Sequence, residues 1–142
     1  MQPGQHTMLP LQNTYDFSYS GLKTAVINLN HKTPNINKSD LCASFQKVAT
    51  QMLTDKTFEA ARELNLNKIV LAGGVSANSY IRDQFAKIGE QESKEVYLPE
   101  LKYCTDNAAM IASAGYYNYL AGNVAGLSLN AVANLQITEG GK

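Results

Sequence analysis

Apolar residues recur at two different periods along this 142-residue chain, and the switches between them mark its elements. Residues 15–19 (YDFSY) alternate aromatic and polar side chains, which predicts a short strand. Ser20 and Gly21 then open a helix carried by Leu22, Ala25, Val26 and Leu29. Residues 31–37, with Pro34, read as a loop. The longest helix is expected over about 39–65, with Ser39 as N-cap and Asp40 in the first turn. Leu41, Phe45, Val48, Met52, Ala60 and Leu64 recur at helical spacing and predict its buried face. Lys56, Glu59 and Glu63 fall among its polar positions, and Thr54 with Asp55 marks a bend or a break.

Residues 68–72 (KIVLA) form a β-branched run ended by two glycines, which reads as a buried strand of the parallel type. A helix is expected over about 77–88, then a strand at 95–98 (EVYL) closed by Pro99. Thr105 is placed to cap a last helix over 106–120, and Gly122 to stop it. The order is strand, helix, long helix, strand, helix, strand, helix. It predicts an α/β fold with a small, mostly parallel sheet and flanking helices. Residues 1–14, with Pro3, Gly4 and Pro10, read as a linker or an appended segment, and 15–142 as the folded part. The last four residues look frayed.

Composition narrows the function classes. A hydrophobic fraction of 44% is enough for a packed core. Twelve bases balance twelve acids, and they are dispersed, so no basic patch for clamping nucleic acid is visible. RNA contact would then need additional protein. Cys42 and Cys104 share no metal-ligand spacing and read as two reduced thiols. No signal peptide or membrane span is apparent, so a soluble cytoplasmic protein without membrane contact is expected.

Three segments can carry chemistry. Gly73-Gly74-Val75-Ser76-Ala77-Asn78 lies between a strand and a helix. Its glycines let the chain approach a ligand closely, leaving room for a base, ribose or phosphate. The Asn78 amide both donates and accepts. The same residues also suit a tight turn capped by Ser76. Asp106, beside Asn107, sits at the second junction, where a carboxylate can bind a metal or complement the dipole of a helix capped by Thr105. If the two strands are parallel neighbours, both polar clusters open at one sheet edge. In the third segment, residues 18–24, Lys23 can meet a phosphate or be solvated, and Ser20 can cap. His6 and His31 share no HxxxH or HExxH frame.

Together, residues 15–26 (YDFSYSGLKTAV), the Gly73 to Asn78 turn and Cys104-Thr105-Asp106-Asn107-Ala108-Ala109-Met110 resemble the carboxyl-terminal half of the tRNA N6-adenosine threonylcarbamoyltransferase family. This is the family once called glycoproteases or O-sialoglycoprotein endopeptidases. The resemblance implies the carboxyl-terminal lobe of an actin-like ATPase (ribonuclease H-like) fold. It implies transfer of threonylcarbamoyl from threonylcarbamoyl-AMP to the adenine amino group beside a tRNA anticodon. It assigns Asn78 to the nucleotide or acyl-adenylate, with Gly73, Gly74 and Ser76 along the adenosine part, and Asp106 to one iron or zinc ion. The other ligands would come from an HxxxH pair in an amino-terminal lobe that this sequence lacks. Threonylcarbamoyl-AMP or ATP, tRNA, a paralogous partner subunit and a small ATPase are the implied partners. The chain is accordingly expected to be a carboxyl-terminal fragment or truncated product that is inactive alone. No general base is identified. The alternatives are a non-catalytic truncated paralogue that binds a partner protein, and a lobe of an actin-like sugar or acetate kinase. No protease constellation is present.

Overall fold

A computed structural model describes residues 15–131 and 133. The 1–14 linker and the frayed end lie outside the described residues. The chain divides into two compact units, the first ending at Cys104 and the second beginning at Thr105.

In the first unit, helix α1 (Ser20–Lys32) and helix α2 (Lys38–Glu63) precede strand β1 (Lys68–Val70). A 3-10 turn (Gly74–Ala77) leads into helix α3 (Ser79–Gln91), followed by strand β2 (Glu95–Tyr97) and a second 3-10 turn (Leu101–Tyr103). β1 and β2 pair in parallel with Lys68 opposite Glu95, Ile69 opposite Val96 and Val70 opposite Tyr97. A parallel pair needs a crossover, and α3 supplies it. The small parallel sheet with flanking helices is therefore the expected fold class.

The core lies between α2, α3 and the sheet. Phe58, Ala61, Ile69, Ile81 and Phe85 form it, with Leu53, Leu71, Ile88 and Val96 packed against it. The Phe58 and Phe85 rings stand 5.8 Å apart at a tilt of 35°, a favoured aromatic geometry. Gly89 is where α3 meets β2, and a Cβ there would stand 2.5 Å from Val96 Cγ2 and 3.1 Å from the Lys94 carbonyl oxygen.

Several expectations are corrected. Residues 15–19 form no strand. The tyrosine hydroxyls find acceptors on α2 instead: Tyr15 donates to Glu63 at 2.5 Å and Tyr19 to the Ala49 carbonyl at 3.4 Å. Tyr19, not Ser20, occupies the cap position of α1, and Ser20 is the first helical residue. On α2 the cap is Asn37, whose side chain accepts from the Ser39 and Asp40 amides. α2 runs without a break, and the Thr54 hydroxyl folds back onto the Thr50 and Gln51 carbonyls at 3.2 and 3.1 Å. Its buried residues are Thr50, Thr54, Phe58 and Ala61, whereas Phe45, Val48 and Leu64 are exposed. β1 is shorter than expected, and only its central Ile69 is buried.

The second unit contains helix α4 (Ala108–Leu120), which starts two residues later than the expected 106–120. Gly122 adopts φ +75° just past its end and donates its amide to the Tyr119 carbonyl at 3.0 Å, as expected of a helix-stopping glycine. Among the described residues, no helix is long and apolar enough to cross a membrane.

Candidate functional site

The first junction begins where β1 ends. Gly73 has φ +84° and ψ 168°, a backbone region that favours glycine. A Cβ there would meet nothing within 4 Å, so the constraint is conformational, not steric. From Gly74 the chain makes one 3-10 turn, held by two bonds on the Gly73 carbonyl: the Ser76 amide at 3.0 Å and the Ser76 hydroxyl at 2.6 Å. Ser76 is buried, and its hydroxyl closes the turn instead of capping the helix.

The cap of α3 is Asn78. Its Oδ1 accepts the Ile81 amide at 3.1 Å, while its Nδ2 donates to Gln46 Oε1 at 3.4 Å. A primary amide has two N–H donors and two acceptor sites, so these bonds leave one of each. Asn78 thus caps α3 and ties it to α2 through Gln46. The positive end of α3 faces the same place and favours anionic groups.

The second junction begins where β2 ends. Arg82, in the first turn of α3, reaches it: Nη1 donates to the Ser76 carbonyl at 3.1 Å and Nη2 to the Pro99 carbonyl at 2.9 Å. The Cys104 thiol is buried and donates to the Glu100 carbonyl at 3.6 Å, with Arg82 Nη1 4.0 Å from its sulfur. Parallel pairing, with the Leu71 amide donating to the Tyr97 carbonyl at 3.0 Å, sends both turns off the same sheet edge.

Asp106 belongs to the second unit. The expected Thr105 cap is replaced by Asn107, whose Oδ1 accepts the Met110 amide at 3.2 Å and whose Nδ2 donates to the Thr105 carbonyl at 2.9 Å. α4 therefore starts at Ala108, and Asp106 stands ahead of the cap with its side chain exposed. It is not a first-turn acid of this helix. Gly73, Gly74, Ser76 and Asn78 share one turn, whereas Asp106 is placed by a different unit. Among the described residues, no group of three or more His, Cys, Asp or Glu side chains is arranged to hold a metal. A protein metal site takes about four ligands, so the described residues do not by themselves fit the expected ion.

Gln46 and Arg82 were not expected at the site. Each is a polar residue inside a helical pattern, and nothing in spacing sets such residues apart. Lys23 is exposed on α1, and both cysteines are free, Cys42 exposed and Cys104 buried. The pKa shifts fall on tyrosines away from the turns. The hydrogen bond to Glu63 raises Tyr15, burial raises Tyr19, and the bond to Glu95 raises Tyr97.

Residues 2–113 match the family model TsaD, tRNA N6-adenosine threonylcarbamoyltransferase. A relative of that name from Thermosipho africanus is 52% identical over 126 residues, covering 87% of this chain and 38% of the relative. One from Clostridium kluyveri is 47% identical over 130 residues, covering 89% and 38%. One from Carboxydothermus hydrogenoformans is 47% identical over 125 residues, covering 88% and 38%. The chain thus spans well under half the length of these relatives.

Proposed function

The chain belongs to the tRNA N6-adenosine threonylcarbamoyltransferase family, and on that premise we propose that it supplies the carboxyl-terminal lobe, residues 15–142, of such a transferase. The reaction proposed for the whole protein joins the carbamoyl carbon of threonylcarbamoyl-AMP to the adenine amino nitrogen next to the tRNA anticodon. The C–N bond forms, the bond to the phosphate oxygen breaks, AMP leaves with the electron pair, and the amine loses a proton. No residue of this chain is assigned as the base for that proton.

The observation that supports this reading best is the 73–78 turn. A positive-φ glycine at the end of a parallel strand leads into a helix whose cap amide keeps one donor and one acceptor. In our reading Gly73 and Gly74 pass beside the adenosine, and Asn78 orients the acyl-adenylate. Ser76 contributes by closing the turn. These roles are positional, and positioning alone accounts for several kcal/mol of a barrier, roughly 7–11 at best. Asp106 would supply one carboxylate to an iron or zinc ion whose remaining ligands lie outside this chain, and no step is derived through that ion. Threonylcarbamoyl-AMP or ATP, tRNA, a paralogous subunit and a small ATPase are the proposed partners, in the cytoplasm. Matches to transferases over most of the chain do not favour the non-catalytic alternative.

The test is complementation in trans. The chain is mixed with a polypeptide supplying the part of the Thermosipho africanus relative that it does not cover, and transfer to tRNA is followed. Asn78→Ala is expected to lower kcat/KM about 100-fold, in line with misplacement of a bound reactant by about 1 Å. Asp106→Ala is expected to lower metal content along with activity. Full activity in both variants would remove the site assignment.

A further inference from the structure

We infer that Arg82 is a positioning residue that locks the two turns of the sheet edge into one geometry. The inference rests on the nucleotide reading of the 73–78 turn for its consequence, though not for its structural content. A linked set of bonds carries it. The Ser76 amide and hydroxyl hold the Gly73 carbonyl, and the Arg82 guanidinium holds the Ser76 carbonyl. The other terminal nitrogen of that guanidinium holds the Pro99 carbonyl. The backbone closes the set, because the Arg82 amide donates to the Asn78 carbonyl at 3.1 Å. One side chain therefore touches both the turn after β1 and the segment after β2, while the backbone amide of the same residue holds the cap of α3.

The chemistry requires arginine. Ser76 and Pro99 are bonded through different nitrogens of one rigid planar fork, so their carbonyls are fixed relative to each other. A lysine carries the charge on a single flexible point and cannot set that relation. β1 and β2 are only three residues each, so their ladder does little to hold the turns beyond it. Pro99 has no backbone N–H with which to add a ladder bond. The guanidinium takes over where the strands stop.

The experiment uses the full chain as wild type, Arg82→Lys, Arg82→Gln and Arg82→Ala. Amide hydrogen exchange is read in residues 73–78 and 100–104, with the α2 and α3 amides around Phe58 and Phe85 as the core reference. AMP affinity is measured in parallel. In Arg82→Gln and Arg82→Lys, exchange is expected to speed up at least tenfold in both segments together, with core protection retained. AMP affinity is expected to fall at least tenfold. In Arg82→Ala, millimolar ethylguanidinium is expected to restore slow exchange in both segments, and ethylammonium is not. If Arg82→Gln does not fold, Arg82→Lys decides. Wild-type exchange in either segment, or equal rescue by ethylammonium, overturns the inference. Wild-type chain that binds no AMP overturns the nucleotide reading of the turn, while the exchange and rescue results still decide the coupling.

Discussion

At the scale of single residues, two positions in the packed interior have environments that fix their behaviour. Thr50 is buried on α2 and its hydroxyl has no hydrogen-bond partner among the described residues. A buried polar group left unpaired costs about 1–3 kcal/mol. Thr50→Val keeps the shape and removes the hydroxyl, so urea unfolding should show a gain of about 1 kcal/mol. Gly89 is the opposite case. Alanine would gain about 1 kcal/mol of helix propensity but would overpack against Val96, at a cost of about 1–3 kcal/mol. Gly89→Ala should therefore lower stability, and Val96→Ala in the same chain should recover part of the loss. Three tyrosines add a pH dependence on the alkaline side. Tyr15, Tyr19 and Tyr97 have pKa values above 10.0 in the folded chain, so the fold prefers their neutral forms. Their contribution is complete below pH 10.0 and is lost as pH rises through the folded values. Tyrosinate absorbance should show these three ionising above that value, and Glu63→Gln should bring Tyr15 down. Little of this was legible in sequence. Gln46, Thr50 and Arg82 stand out only once the helices are packed.

At the scale of elements, the apolar patterns located most helices and both paired strands, because β-branched runs and glycine stops report backbone conformation directly. Boundaries were missed where two cap-forming residues compete. Asn37 caps in place of Ser39, Asn78 in place of Ser76, and Asn107 in place of Thr105. Asn, Ser and Thr have similar cap preference, so three-dimensional geometry makes the choice. The aromatic alternation of residues 15–19 misled for a related reason, since a segment lying along a helix can show the same period as a strand. The caps give a clean test. Asn37→Ala and Asn107→Ala should each cost about 1 kcal/mol, whereas Ser39→Ala and Thr105→Ala should stay within about 0.5 kcal/mol. Chemical denaturation of the four variants distinguishes the assignments. Moving the cap to Asn107 also frees Asp106 from a helix-dipole role, which keeps its carboxylate available in the proposed metal assignment.

At the scale of the whole molecule, α4 is the element least explained by the described chain. Its sequence AAMIASAGYYNYL carries no charge, and every one of its residues is exposed. A helix with no charged face is normally buried. The chain covers 38% of the length of its relatives, so a transferase would need much more polypeptide than is present here. The family was legible from three separated motifs, residues 15–26, 73–78 and 104–110, taken together in that order. The ion-binding set was not, because the described residues do not contain it. In the proposed function this chain holds part of a transferase site and needs the rest in trans. The most direct measurement is mass-spectrometric detection of threonylcarbamoyladenosine in tRNA incubated with threonylcarbamoyl-AMP. No product is expected with the chain alone, none with the complementary polypeptide alone, and product when the two are mixed. Product from the chain alone, or no product from a stable complex of the two, would contradict it.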